Sequence, residues 1–276
     1  MKERHAMLSI EGVRKTFNAG TPNEVRALDG VSLAIEPGSF VVVIGTNGSG
    51  KSTLLGAAAG SIPVDEGRIT LDGVDVTRWP DHRRAAMIGR VFQNPFAGTA
   101  PSMTVAENLA LAARRGRRRG LGWALNAAVR REIRERVSRL NMQLEDRIDT
   151  RIGALSGGQR QALTLLMASW SKPRLLLLDE HTAALDPKSA DRIIRLSEEI
   201  ITAERLTTLM VTHSMQQAAR LGDRLVMMHQ GAAIHDFRGA EKARLRPDDL
   251  MARFEDVRRA DLLDQSAADM LSRMYV

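Results

Sequence analysis

The strongest constraint on this chain is a glycine-rich turn between an apolar strand and a helix. The turn has the sequence Gly45-Thr46-Asn47-Gly48-Ser49-Gly50-Lys51-Ser52-Thr53, preceded by Phe40–Ile44 and followed by Leu54–Ala59. The preceding run is apolar at consecutive positions, which predicts a strand buried on both faces of a sheet. The turn itself fits the pattern G-x-x-x-x-G-K-[ST], which is typical of a phosphate-binding loop.

The composition of this turn predicts how it would bind phosphate. Gly48 and Gly50 allow the backbone to curl so that successive N–H groups point at phosphate oxygens, and the helix N-terminus adds partial positive charge there. We expect Lys51 to reach the β- and γ-phosphates and Ser52 to offer its hydroxyl to Mg²⁺. The chain is therefore predicted to bind a nucleotide.

Composition narrows the remaining possibilities. The 276 residues suffice for one large or two small domains, and the absence of Cys excludes disulfides and thiol chemistry. No apolar run approaches 18 residues and the first residues lack a signal-peptide pattern, so we expect no membrane span. The formal net charge of +7 suits a polyanionic partner, whether nucleotide, nucleic acid or anionic lipid.

Hydrophobic periodicity divides the chain into three regions. Alternating residues at 7–13, 31–35 and 68–71 predict a small antiparallel sheet in the first third. Helical spacing over 124–140, together with the capping box of Thr104 and Glu107, predicts a helical insert. The rest of the chain alternates predicted strands, at 175–178, 207–211 and 224–228, with predicted helices at 187–203 and 213–221. This alternation predicts parallel βαβ units.

Two further motifs carry chemistry. The segment Leu155–Gln161, read as LSGGQRQ, places Ser156 and two glycine N–H groups at a second helix N-terminus. Four leucines lead directly into Asp179 and Glu180, so two carboxylates stand at the carboxyl end of a buried strand. Ligands of open α/β sheets bind at such ends.

Two single polar residues complete the pattern. Gln93 follows Val91-Phe92, and His213 ends the strand after the acidic pair. From about residue 7 to 235, this order of motifs resembles the ATP-binding subunit of a bacterial ABC transporter. The stretches Asp75–Ala85 and Ile88–Gln93 resemble those of importers that serve amino acids, including branched-chain types. The resemblance implies an α/β fold of the P-loop NTPase class: a RecA-like parallel sheet core with an N-terminal antiparallel β-subdomain and an inserted helical subdomain.

The resemblance also implies domain boundaries and cofactors. It places an ABC ATP-binding domain at 1–236, the helical subdomain at about 95–165, and a C-terminal helical extension at 237–276, which we expect to form helices after Pro247 and Arg259. The implied cofactors are ATP, held by Phe17 and by Gly45 to Thr53, and Mg²⁺, held by Ser52, Gln93 and Asp179.

The same resemblance implies residue roles in hydrolysis. Glu180 would be the general base, His213 would contact the γ-phosphate, and Gln93 would sense the membrane partner. Phe17 would stack on adenine where the family usually has Tyr, although a lone aromatic residue is more often part of a core. His181 stands where Pro is commoner in the family and receives no role.

Partners follow from the family as well. A second copy, bound head to tail, would complete each ATP site in trans with Ser156, Gly157, Gly158, Gln159 and Asp186. The chain would serve an integral membrane permease and a substrate-binding protein from the cytoplasmic face of the inner (plasma) membrane, as a peripheral subunit. Nucleic acid is not expected as a partner.

An arginine-rich segment, Arg114–Arg119, adds charge to the helical insert together with arginines at 130, 131, 134, 136 and 139. A solvated surface explains such a charge run, and contact with anionic headgroups is the alternative.

Three classes of ABC ATPase remain to be compared. The expected function is ATP hydrolysis that powers uptake of a small solute such as an amino acid, with lipid or lipoprotein transport as the alternative. A soluble ATPase of DNA repair would need a long coiled coil, and sustained heptads are missing between Lys51 and Asp179. A translation factor of the superfamily would usually carry two such modules.

Overall fold

The computed structural model describes residues 6–116, 125–257 and 259. Within them the strands form two sheets. The strands are β1 (Leu8–Phe17), β2 (Val25–Ile35), β3 (Phe40–Gly45), β4 (Glu66–Leu71), β5 (Val74–Asp75), β6 (Ile88–Val91), β7 (Leu175–Asp179), β8 (Thr208–Val211), β9 (Arg224–His229) and β10 (Ala232–Arg238).

Helices cover the faces of these sheets and form the insert. They are α1 (Lys51–Ala59), α2 (Asp81–Arg84), α3 (Val105–Ala113), α4 (Ala127–Ser138), α5 (Gly157–Ser169), α6 (Pro187–Glu204), α7 (Met215–Arg220) and α8 (Gly239–Arg244), with short 3₁₀ turns at Glu145–Arg147 and Ile152–Ala154. No helix of the described ranges is long and apolar enough to cross a bilayer.

The first sheet is antiparallel, as the alternating residues predicted. Its strand order is β2-β1-β4-β5. Leu8, Ile10 and Val13 on β1 are buried, while polar residues between them face solvent. The observed strands are longer than the predicted segments, because β1 continues to Phe17 and β2 begins at Val25.

The second sheet has the order β10-β9-β3-β8-β7-β6. Its five strands from β9 to β6 are parallel, and β10 adds an antiparallel edge. This architecture confirms the predicted α/β fold class. The carboxyl ends of β3, β8, β7 and β6 therefore meet at one edge, which is where an open α/β sheet binds ligands.

Burial on both sides of β3 explains its uninterrupted apolar sequence. Val41 and Val43 pack into the core shared with the antiparallel sheet and α1. Val42 and Ile44 point the other way, into the core shared with α5 and α6. Because side chains alternate along a strand, a strand that separates two cores needs apolar residues at every position.

The helical insert begins as the sequence predicted. Thr104 caps α3, and its hydroxyl and the Glu107 side chain form the reciprocal bonds of a capping box. Asn126 caps α4 by accepting the Val129 N–H, so the predicted helix over 124–140 is observed at Ala127–Ser138, and Ala124 lies outside the described residues.

The arginine-rich surface of the insert is largely paired within the described residues. Arg130 contacts Asp149, Arg136 contacts Glu132 and Arg139 contacts Glu135. Arg115 turns inward and donates to the Ala168 carbonyl at 2.7 Å. These contacts support a solvated helix face, while Arg117–Arg119 lie outside the described residues.

The position where the helical extension was predicted to begin, residue 237, lies in a strand. β10 pairs with β9 and runs across the boundary placed at residue 237, and Phe237 is buried in the core. Residues 247–257 are helical, as predicted after Pro247, and Leu250 and Phe254 are buried. The helix predicted after Arg259 lies outside the described residues.

Candidate ATP site

The turn between β3 and α1 has the backbone shape that its glycines predicted. Gly48 and Gly50 adopt left-handed φ values of 79° and 93°. A Cβ on Gly50 would lie 2.1 Å from the Ala27 carbonyl oxygen, so glycine is required there for space as well as for conformation. Gly50 is also the N-cap of α1, where no side chain caps the helix.

Lys51 is folded into this turn. Its Nζ donates to the carbonyl oxygens of Gly45 and Thr46, each at 2.8 Å. Burial lowers the pKa of Lys51, and the nearby Glu180 carboxylate opposes that shift. The next side chain, Ser52, is exposed at the start of α1. The loop thus presents a cation, an exposed hydroxyl and a helix N-terminus on one surface, which suits a polyphosphate.

The acidic pair and the histidine meet at the carboxyl ends of β7 and β8. The Glu180 N–H donates to the Val211 carbonyl at 3.0 Å, and Glu180 has a left-handed φ of 41°. His213 lies in the turn between β8 and α7, and its Nδ1 is 3.3 Å from Glu180 Oε2. A non-glycine residue at positive φ is uncommon and is often found at functional sites.

Asp179 ends β7 with its carboxylate turned toward β6. Burial raises the pKa of Asp179, and the hydrogen bond from Arg90 Nη2 to Oδ2, at 3.2 Å, acts in the opposite direction. Arg90 was not among the site residues predicted from the sequence. The sequence does contain a signal for it, a charged residue inside the short and otherwise apolar strand β6. Strands of a parallel sheet are usually covered on both faces, so a charged residue within one is unusual.

Gln93 lies beyond the end of β6, and its side chain is exposed. Among the described residues, the Gln93 side chain makes no hydrogen bond to Asp179 or to any other group. The preceding carbonyl, of Phe92, accepts a hydrogen bond from the buried Gln161 Nε2 at 3.3 Å. The loop that carries Gln93 is therefore tied to α5.

The second glycine-rich helix start is closed by its own side chains. Ser156 Oγ accepts the Gln159 N–H, and Gln159 Oε1 accepts the Ser156 N–H, both at 3.3 Å. Gly157 and Gly158 face Leu185 and Ser189 at the start of α6. In the described part of the chain, none of the hydrogen bonds of this segment reaches the phosphate loop, so one chain does not bring the two motifs together.

Asp186 and Phe17 occupy the surface. Asp186 caps α6 by accepting the Ser189 N–H at 3.0 Å, and the hydrogen bonds from Ser189 hold the Asp186 pKa below its usual value. Phe17 is 37% exposed at the end of β1, with Lys15 Nζ at 5.6 Å from its ring centroid. Phe17 is therefore not a core residue.

The donor set fits magnesium bound largely through a nucleotide. Within the described residues, no group of three or more His, Cys, Asp or Glu side chains could hold a metal ion. The expected protein ligands include the Ser52 hydroxyl at the start of α1 and the Asp179 carboxylate at the end of β7, which are hard oxygen donors. Mg²⁺ is usually bound in this way, by one or two protein oxygens together with substrate phosphates.

Comparison with known proteins decides the family. The family model described as ABC transporter matches residues 28–183, which is more than half of the chain. The chain belongs to the ABC transporter family. It is an ATP-binding cassette, an ATPase whose hydrolysis of ATP is coupled to transport.

Individual relatives and structures agree with this assignment. The cassette is 41% identical to the tyrosine transport ATP-binding protein of Clostridioides difficile (strain R20291) over 251 residues, covering 90% of this chain and 99% of the relative. It is 36% identical to the lipoprotein-releasing system ATP-binding protein LolD of Ruegeria pomeroyi over 228 residues, covering 81% and 95%.

Among solved structures, the cassette is similar to a dimeric ATP-binding cassette, MJ0796, in a post-hydrolysis state bound to ADP and Pi. The TM-score is 0.73 at 28% identity, and the match covers 84% of this chain and 98% of that chain. A second solved structure of MJ0796, similar to this chain with a TM-score of 0.70 at 28% identity, is also described as dimeric.

Proposed function

We propose that this cassette hydrolyses ATP to power a separate membrane permease that takes up a small solute, most specifically an amino acid. The similarity to the tyrosine transport protein supports this proposal, because it extends over 90% of the chain, including much of the region after the matched family domain. The second candidate is a lipid or lipoprotein transport system, which the similarity to LolD favours.

The geometry of the phosphate loop carries the ATPase part of the proposal. Lys51 lies in the turn with its charge directed at backbone carbonyls, and incoming phosphate oxygens would replace those carbonyls as its acceptors. Bound Mg²⁺ would supply charge neutralisation at the β- and γ-phosphates, held by Ser52, Asp179 and Gln93. Phosphoryl transfer to water depends mainly on such charge compensation and alignment.

Glu180 is the proposed general base. Its backbone is held by Val211, and its carboxylate stands beside His213 and near the Lys51 charge. A carboxylate fixed on this edge of the sheet can accept a proton from a water aligned with the γ-phosphate. His213, which is 61% exposed, would contact the γ-phosphate from the other side of that water.

A second copy of this chain is proposed to complete the site. Ser156 and the glycines after it form an exposed helix N-terminus that lies away from the phosphate loop of its own chain. Two chains packed head to tail would place that N-terminus, with Asp186, over the γ-phosphate of the partner. We further propose a permease, a substrate-binding protein and, for the insert, anionic lipid as contacts at the cytoplasmic face of the membrane.

The variant Glu180→Gln tests the catalytic assignment. We expect ATP binding to be retained and hydrolysis to fall by about 10²- to 10⁴-fold, because the amide cannot take a proton. We also expect an ATP-dependent dimer, measured by light scattering after gel filtration. The control Glu198→Gln changes an exposed carboxylate on α6 that pairs with Arg220, and it should behave as wild type. An unchanged hydrolysis rate in Glu180→Gln would remove Glu180 from this role.

Purification from native membranes in mild detergent tests the partner and the cargo. A polytopic membrane protein that co-purifies in stoichiometric amounts is the expected result. Reconstituted vesicles should then take up an aromatic amino acid with the wild-type cassette and not with Glu180→Gln. Release of a lipoprotein instead would favour the second candidate, and recovery of only nucleic acid or non-membrane protein would contradict the permease.

A further inference from the structure

Arg90 contacts Asp179 of the acidic pair, and the ABC family motifs named above do not include it. We propose that Arg90 is a positioning residue that holds the Asp179 carboxylate and competes with Mg²⁺ for it, so that it sets the metal affinity of the nucleotide site. This inference rests on the proposed function, in which Asp179 supports the metal.

The register of the sheet places Arg90 beside Asp179. Arg90 on β6 pairs with Leu177 on β7, and Asp179 follows Leu177 by two residues. Residues two apart on a strand share a face, so Arg90 and Asp179 project from the same side of the sheet. Leu177 on that side packs in the core that includes α1, the helix of the phosphate loop.

The guanidinium is held by several groups at once. Nη2 is 3.2 Å from Asp179 Oδ2, Nη1 is 3.1 Å from Ser61 Oγ, and the group lies 4.6 Å from the centroid of the Phe92 ring. The two charged side chains are only 19% and 15% exposed. Because water is largely excluded, the charge of Arg90 acts on Asp179 more strongly than a surface arginine would.

The pair is incomplete as a structural ion pair. Only one nitrogen of Arg90 reaches the carboxylate, and Arg90 Nε is buried without a hydrogen-bond partner among the described residues. A buried donor without a partner costs stability. Stability alone therefore does not account for an arginine at this position, whereas control of the Asp179 carboxylate does.

Competition follows from charge. The Arg90 guanidinium is a cation within hydrogen-bond distance of the carboxylate proposed for the metal. Mg²⁺ brought in with ATP must share or displace that hydrogen bond and is repelled by the guanidinium. Gln93, another proposed metal donor, follows Arg90 by three residues. The hydrogen bond between Arg90 and Asp179 therefore links β7 to the segment that carries Gln93.

Metal binding in the absence of turnover tests this inference. Mn²⁺ is titrated into the protein with a non-hydrolysable ATP analogue, and free Mn²⁺ is measured by electron paramagnetic resonance. We expect Arg90→Met, which keeps the unbranched stem, to lower the apparent Kd for Mn²⁺ by about threefold or more. Arg90→Lys, which keeps the charge, should stay within about twofold of wild type.

Matched controls separate this effect from general damage. Arg174→Met removes another arginine that pairs with an aspartate, Asp72, just before β7 begins, at the opposite end of that strand from Asp179. It should leave Mn²⁺ affinity unchanged. Affinity for the nucleotide analogue in EDTA should be equal in all variants, which shows that the phosphate loop is intact. If Arg90→Met does not fold, the neutral Arg90→Gln takes its place with the same expectation.

The outcomes distinguish the inference from the function on which it rests. Mn²⁺ affinity equal to or weaker than wild type in folded Arg90→Met overturns the competition. If Asp179→Asn weakens Mn²⁺ binding in the same experiment, the metal role of Asp179 stands and only the inference about Arg90 fails. If Asp179→Asn has no effect, the proposed metal role of Asp179 fails as well.

Discussion

The two glycine-rich helix N-termini of this cassette, at α1 and at α5, are capped differently. At α1 the N-cap is Gly50, a residue in left-handed conformation that offers no side-chain cap. At α5 the N-cap is Ser156, whose hydroxyl forms reciprocal bonds with Gln159. The first helix start leaves its N–H groups available for an anion, whereas the second satisfies two of its own.

We propose that these two helix N-termini contribute to ATP binding and hydrolysis at different stages. The loop before α1 already holds the Lys51 charge in the turn, so phosphate binding there requires Lys51 only to exchange its two carbonyl acceptors for phosphate oxygens. A ligand at α5 has to replace the bond that Ser156 makes with the Gln159 N–H. We infer that α1 provides binding by the single chain and that α5 contributes only when a second chain presents it.

The largest predicted effect comes from a substitution at Gly50, the N-cap of α1. Gly50→Ala would place a Cβ 2.1 Å from the Ala27 carbonyl oxygen at a φ of 93°, so the loop must shift. A displacement of this size should weaken ATP binding by about 100-fold, measured by calorimetry. Gly20→Ala is the matched control, because Gly20 has a φ of 75° but no atom within 4 Å of the added methyl group. Equal ATP affinity in both variants would contradict the required loop geometry.

The next prediction concerns the turn between β7 and α6. His181 follows the acidic pair, and its Nε2 lies 2.9 Å from Ser197 Oγ on α6, the helix against which α5 begins. Ser197 donates to the Ile193 carbonyl, so the His181 nitrogen must donate to Ser197. The turn that carries Glu180 is thereby attached to α6.

Burial lowers the pKa of His181 from 6.5 to about 4. Between these values the unfolded chain binds more protons than the folded chain, so stability falls as pH drops below 6.5. Relative to pH 7, the loss at pH 5 should be about 2 kcal/mol, measured by urea unfolding. His181→Gln keeps a donor for Ser197 and cannot titrate in this range. A drop in stability as large in His181→Gln as in wild type would exclude His181 as the cause.

The smallest predicted effect separates capping from catalysis at the second helix start. Ser156→Ala and Thr104→Ala each remove the hydroxyl of a capping box, at α5 and at α3. Each should lower the free energy of unfolding by about 1 kcal/mol. Only Ser156→Ala should also lower ATP hydrolysis, by about tenfold, while ATP binding by the monomer stays the same. Equal hydrolysis in the two variants would show that Ser156 serves stability alone.

Features defined by neighbouring residues were predictable from sequence. The strand, turn and helix around Lys51 follow from a continuous apolar run and from glycines, which act within a few residues. The capping box of Thr104 and Glu107 was predicted from its spacing, whereas the one that Ser156 forms with Gln159 was not. The strand β10 was missed, because its residues alternate poorly and it exists through its pairing with β9.

Some expectations for individual residues are supported by contacts in the structure, and others stay predictions. The contact between Glu180 and His213 joins two strand ends, and both residues were predicted from the sequence as site residues. The exposure of Phe17 removes the alternative of a core aromatic, while its stacking on adenine stays a prediction. The boundary between 1–236 and 237–276 also stays a prediction, and β10 lies across it.

The sequence by itself determined the chemistry that this chain carries: a phosphate loop, an acidic strand end and two helix starts. Those are patterns of covalent neighbours. The tertiary structure alone decided which distant groups meet, such as Arg90 with Asp179, which are separated by 89 positions. The register of β6 against β7 produces that contact, and register is selected by burial over the whole sheet, which no local pattern contains.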